Sequence, residues 1–234
     1  MSMKSQLKAA DGSSHAYHQT TTNASVLRGR GLKEAPFELF APGDGTLRTS
    51  AGDLVVIKGF NWFGTEGQHA MLYGLEERSL DEYFAFAASN GFNAMRLLFN
   101  QENVERDPPT PMNDPRDGKI TFDWRKSPEL RGTTYIKMLQ VVSSKAAEHG
   151  ILILLACHRL RMQYPGQSLH AEWPGDWDGL WFDNYWTENR IIGNWQKLAE
   201  RGLCAAWNVV AVDLMNEPHG AGWGRGGRKD WRLG

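Results

Sequence analysis

Ile151–Cys157 is seven apolar residues in a row, entered directly from Gly150 and closed by His158. A strand reads this way when both its faces are buried, as happens in an all-parallel sheet covered by helices. The same unit recurs along the chain. Ser79-Leu-Asp-Glu82 has the form of a capping box, Leu80, Tyr83, Phe84, Ala87 and Ala88 follow at helical spacing, and Gly91 stops the helix. Phe92–Phe99 is the next strand. A helix with Tyr135, Met138, Leu139, Val142 and Ala146 on one face then ends at Gly150. Another, with Ile191, Trp195, Leu198 and Ala199 inward, ends near Gly202 and leads to strand Trp207–Met215. Upstream, Leu47–Thr49 and Leu54–Ile57 flank a turn-rich gap that predicts a hairpin, and its second arm continues as a first long strand, Leu54–Trp62. Four strands alternating with helices define an α/β chain with a parallel sheet.

The connections are unequal. Those entering a strand are minimal, as at Gly91 and Gly150. Those leaving the strands are long, running from Asn100 to about Gly132 and from His158 to about Trp186. Loops beyond ~12–15 residues in a compact domain are usually functional, and a (β/α)8 barrel builds its site from the loops at its strand C-termini. The expectation is a (β/α)8 TIM barrel, present as about four β/α units, a half barrel.

Several partner classes are excluded at this stage. With 26 Lys+Arg against 27 Asp+Glu, the net charge of −1 lacks the cationic excess that nucleic acid or an anionic membrane surface demands. The longest apolar run falls far short of the roughly 20 residues that span a bilayer. Two cysteines, Cys157 and Cys204, build neither a disulfide framework nor a four-ligand zinc site, and no histidine pair has metal-ligand spacing. No metal or cofactor is implied. Residues 1–36 are rich in Ser, Thr, Ala and Gly, and are expected to be a disordered leader without the apolar core of a secretory signal.

Asn216-Glu217-Pro218-His219 is the sharpest local signal. It puts a carboxylate and an amide at the C-terminal end of the fourth strand, with Pro218 expected to hold Glu217 extended. At this point the chain resembles glycoside hydrolase family 5, the cellulase family. Ile57-Lys-Gly-Phe-Asn-Trp-Phe-Gly64 looks like the family's first strand, and Gly91-Phe-Asn-Ala-Met-Arg-Leu97 is similar to its second. His158 follows strand 3 where the family has a histidine. Trp181-Phe182, Trp195–Ala199, Val212–His219, Trp223-Gly224 and Asp230–Leu233 match in order. The resemblance covers roughly residues 45–234 and marks 37–234 as an incomplete catalytic domain.

It implies a retaining endo-β-glucanase acting on β-linked polysaccharide, with Glu217 as general acid/base. Asn216 would bind the sugar hydroxyl beside the reacting carbon, Arg96 would keep a partner carboxylate charged, and His158 would bind sugar in the central subsite. Flat sugar faces stack on indoles, which offers a use for the ten tryptophans, eight of them between Trp173 and Trp231. Trp62, Trp173, Trp177, Trp181 and Trp223 are the platform candidates, whereas Trp195 has the spacing of a core residue. An extracellular location is expected for the family.

The family's nucleophilic glutamate belongs to strand 7, and the only acid after Glu217 is Asp230. A chain with these four units is expected to be inactive alone and to self-associate through its open sheet edges. Alternatives are a non-catalytic carbohydrate-binding half barrel and a fragment that does not fold stably. Gly222-Trp-Gly-Arg-Gly-Gly227 satisfies G-x-G-x-x-G, but the helix and the distant acid of a dinucleotide site have no room to follow.

Overall fold

A computed structural model describes residues 38–111, 122–162, 181–218, 221–224, 226–227 and 230–232. The expected leader, and Trp173 and Trp177, lie outside these residues. Among them the order is β1 (Leu39–Phe40), β2 (Arg48–Thr49), β3 (Gly59–Trp62), α1 (Leu80–Ser89), β4 (Ala94–Asn100), α2 (Gln101–Arg106), a 3-10 turn (Pro128–Leu130), α3 (Tyr135–Glu148), β5 (Leu152–Arg159), α4 (Glu188–Glu200) and β6 (Val209–Asp213). Strands β3-β4-β5-β6 form one sheet in sequence order, every pair parallel. This is half of a (β/α)8 barrel: sequential parallel strands with helical crossovers packed on one side.

The register separates two faces. Phe60 pairs with Met95 and Met95 with Ile153, a row that faces the helices. Met95, Leu97, Phe99, Ile153, Leu155 and Cys157 are buried there against Phe84, Tyr135, Leu139, Ile191 and Leu198. On the opposite face Asn61, Arg96, Leu154 and Ala211 lie side by side across all four strands. Side chains alternate along a strand, so a polar residue inside an apolar run marks that inner face.

Helix α1 begins as its sequence predicts. The Ser79 hydroxyl accepts from Glu82 N–H, and the Glu82 carboxylate accepts from Ser79 N–H at 2.8 Å. Two elements differ from expectation. Strand β3 starts only at Gly59, because the Asn93 side chain takes up the backbone before it: its amide oxygen accepts from Lys58 N–H and its NH2 donates to Val56 carbonyl. The expected hairpin does form upstream, Leu54 bridging antiparallel to Arg48 with Val55 N–H donating to Leu47 carbonyl at 2.8 Å and Thr49 N–H to Asp53 carbonyl at 2.9 Å, but its second arm does not run on into β3. The loop after β4 opens with an unforeseen helix, α2, for which Asn100 is the cap, accepting from Asn103 N–H at 2.7 Å.

Strands β3 and β6 each have one neighbour in this sheet. On β6 and just past it, Val210, Val212 and Leu214 are 42%, 50% and 50% exposed. No helix among the described residues is long and apolar enough to cross a membrane.

Candidate active site

The inner-face row leads to a cluster at the C-terminal edge of the sheet. Arg96 of β4 reaches across β5 toward β6, where its Nη2 donates to Asp213 Oδ2 at 2.6 Å and to Asn216 Oδ1 at 3.0 Å. Asn216 is fixed from two sides, since its own N–H donates to Cys157 carbonyl at 3.0 Å, prolonging the β5–β6 pairing past Asp213. With its amide oxygen held by Arg96, its NH2 is the donor presented away from the guanidinium.

Glu217 comes next and is exposed. Its backbone has φ +46°, in the left-handed region, and not the extended geometry expected from the following proline. The local preference loses because the chain must leave the sheet immediately after the last interstrand hydrogen bond. A non-glycine residue held there stores backbone strain of roughly 1–3 kcal/mol, which is characteristic of functional sites.

His158 closes the cluster from β5. Burial, with the positive charges of Arg96 and Arg159, pushes its imidazole down to about 4, while Glu217 and Asp213 pull the other way. The ring is therefore neutral at physiological pH, with one N–H donor and one acceptor nitrogen. Its Nδ1 is buried and meets no hydrogen-bond partner among the described residues.

The loop after β3 adds a further carboxylate, after Asp213 and Glu217. Gly64 has φ +124°, and a Cβ there would lie 2.2 Å from Met71 carbonyl oxygen, so only glycine fits. Thr65 Oγ1 donates to Leu98 carbonyl and Tyr135 Oη donates to Thr65 carbonyl at 2.7 Å, which locks the loop to β4 and α3. Glu66 is thereby held buried, accepting from Gly64 N–H at 2.8 Å. Burial raises its carboxyl, opposed by that hydrogen bond and by the charges of Arg159 and Arg96.

The structure thus brings Arg96, His158, Asn216 and Glu217 to one edge and adds Asp213, Glu66 and Arg159. Asp213 could have been found by counting: it lies three residues before Asn216, a charge on an otherwise apolar strand. Trp62 stands apart and corrects the expectation of a sugar platform. Its ring packs on Tyr83 and Phe84 of α1, centroids 4.9 and 5.6 Å away, and its Nε1 donates to Tyr73 carbonyl. It shares strand parity with Phe60 on the helix-facing side. Trp181 is partly buried, edge-on to Phe182 at 4.9 Å. Trp223 is 68% exposed and stacks on Trp231, with centroids 6.4 Å apart. Trp195 packs edge-on against Phe99 in the core. Among the described residues no group of three or more His, Cys, Asp or Glu could hold a metal ion.

A carboxylate, an amide, a neutral imidazole and an arginine thus stand together at the C-terminal edge of parallel strands, the edge at which a (β/α)8 barrel builds its site. Residues 55–233 match the family model for cellulase (glycosyl hydrolase family 5), and the chain belongs to that family. It is 32% identical over 185 residues to an endoglucanase of Paenibacillus polymyxa, covering 78% of this chain and 41% of that protein. It is 30% identical over 183 residues to the major extracellular endoglucanase of Xanthomonas campestris pv. campestris, covering 77% of this chain and 33% of that one. Among solved structures, a cellotetraose complex of an endocellulase from Pyrococcus horikoshii matches with TM-score 0.64 and 29% identity, over 85% of this chain and 52% of that one. The chain spans about half or less of the length of the relatives it matches.

Proposed function

We propose that this chain supplies the acid/base half of a retaining endo-β-glucanase, with Glu217 as the general acid/base. The observation that carries the reading is the anchoring of Asn216 by the inner-face arginine: Arg96 holds the Asn216 oxygen, and Glu217 follows on a strained backbone at the mouth of the sheet. A glycosidic bond breaks through an oxocarbenium-like state that needs a proton donor on one side and a carboxylate on the other, the two carboxyls roughly 5–5.5 Å apart in retaining enzymes. Glu217 donates to the leaving oxygen and later takes the proton from water. The Asn216 NH2 binds the hydroxyl next to the reacting carbon. Neutral His158 hydrogen-bonds sugar without adding a positive charge beside the developing cation. In this family the nucleophile belongs to a later strand, so Arg96, already paired with Asp213, acts here by orienting Asn216. A polypeptide of these 234 residues alone turns over no β-glucan. The substrate is a β-linked glucan, a polymer that is met outside the cell.

The test is a chimera of residues 45–234 with the C-terminal half of a relative's barrel, compared with its Glu217→Gln variant on soluble β-glucan. A general acid contributes ~10²–10⁴-fold, and a loss within about threefold would sink the assignment.

A further inference from the structure

Asp230 is 2% exposed, yet it lies within a surface turn. Its Oδ1 accepts from Gly224 N–H at 2.8 Å and from Arg232 N–H at 2.9 Å, and its Oδ2 accepts from Gly226 N–H at 2.8 Å. Three backbone donors converging on one carboxylate fold the chain back on itself. The return is completed by a parallel bridge between Gly222 and Asp230 and by Trp231 N–H donating to Gly222 carbonyl at 3.0 Å. Gly224, at φ +74°, lies under the Arg232 guanidinium, where a Cβ would come within 2.6 Å of Cζ.

The product of this turn is a displayed indole. Trp231 packs on the core and Trp223 stacks on it with an interplanar angle of 18°, leaving Trp223 68% exposed. A large aromatic with one face backed and the other in solvent has the shape that takes the flat apolar face of a pyranose. A mobile side chain would lose much of that affinity to ordering.

We infer that Asp230 is a positioning residue that holds Trp223 as a β-glucan stacking platform. This rests on the glucanase reading for the identity of the sugar, but not on Glu217. The carboxylate touches no substrate. It acts through Gly224 and Gly226, which follow the indole in the chain, and Trp231 sets the plane on which the indole lies.

The 234-residue chain and its Asp230→Asn, Trp223→Ala and Gly224→Ala variants test it, with the Trp223→Ala/Asp230→Asn double variant. Two readouts are used: hydrogen–deuterium exchange of the peptide covering 221–232, and retardation in gels containing hydroxyethylcellulose. Asp230→Asn is expected to speed exchange in that peptide alone. Stacking at this level is lost as a roughly three- to tenfold drop in affinity, and both Trp223→Ala and Asp230→Asn should show it. The double variant should bind no more weakly than Trp223→Ala, since Asp230 acts only through the indole. Gly224→Ala should match Asp230→Asn with the carboxylate intact. Unchanged exchange in Asp230→Asn overturns the positioning role. Losses that add in the double variant overturn the coupling. A wild-type chain that hydroxyethylcellulose does not retard overturns the platform and leaves the role of Glu217 to the chimera.

Discussion

His158 makes the protein acid-sensitive by an amount that can be worked out. Its native pKa is held down to about 4 by burial and by Arg96 and Arg159, against 6.5 for the exposed ring of the unfolded chain. The sign follows from proton counting. Above pH 6.5 both states are neutral at this ring and it contributes no pH dependence. As pH falls from 6.5 toward 4 the unfolded chain takes up a proton that the native state refuses, so stability is lost. Below 4 the loss is complete and constant. At pH 4.5 the linkage relation gives ~2.5 kcal/mol, reduced to ~2 kcal/mol because the ring is only partly buried. His158→Gln removes the titration while keeping polar groups of similar reach. Urea unfolding of both proteins at pH 7 and pH 4.5 measures the difference of differences, in which any packing change common to both pH values cancels. The wild type should lose ~2 kcal/mol more than the variant over that interval. Equal losses, or a His158 resonance that titrates near 6.5 by NMR, would refute the argument.

Three further outcomes follow from the same contacts. Arg96→Met removes a positive charge beside His158 and should raise its pKa above that of the wild type in the same NMR titration, whereas Asp213→Asn should lower it. Ser79→Ala breaks the capping box of α1 and should cost about 1 kcal/mol in urea unfolding, with no change in glucan binding. The side of β6 that pairs with no strand among the described residues, with Val210, Val212 and Leu214 exposed, is a template for strand pairing. The 234-residue chain should run as a dimer or larger in size exclusion with light scattering, and Val212→Lys should shift it toward the 26.4 kDa monomer; a monomeric wild type would contradict this.

What the sequence disclosed depends on which physics is local. β5 is legible because a strand buried on both faces leaves a continuous apolar run, β4 because Arg96 is the one polar residue within Ala94–Phe99, and α1 because its capping box is written within four residues. The start of β3 is not legible, since it is decided by Asn93, which occupies the backbone of Val56 and Lys58 from the neighbouring strand. Helix α2 is too short for an apolar period, and its one signal is the cap made by Asn100. At the site, the Asn216-Glu217 motif and the family resemblance pointed to Glu217, Asn216, His158 and Arg96, but not to their connections. That Arg96 serves Asp213 and Asn216 together is a consequence of register between β4 and β6, strands that are not adjacent in the sheet. Indole chemistry suggests a platform at Trp62, but parity decides otherwise: alternation from inward Asn61 turns Trp62 toward Tyr83 and Phe84 of α1. The proline rule failed at Glu217 for the opposite reason, a local preference overridden by the exit of the chain from the sheet.

The role of Glu217 as a proton donor is tested most directly by leaving groups. In the chimera of residues 45–234, Glu217→Gln should lose ~10²–10⁴-fold on β-glucan, whose alcohol leaving group needs the proton. On a dinitrophenyl β-cellobioside, whose phenolate leaves unprotonated, the first step of the same variant should remain close to that of the unsubstituted chimera. Equal losses on the two substrates would show that Glu217 serves the fold or sugar binding and not proton transfer.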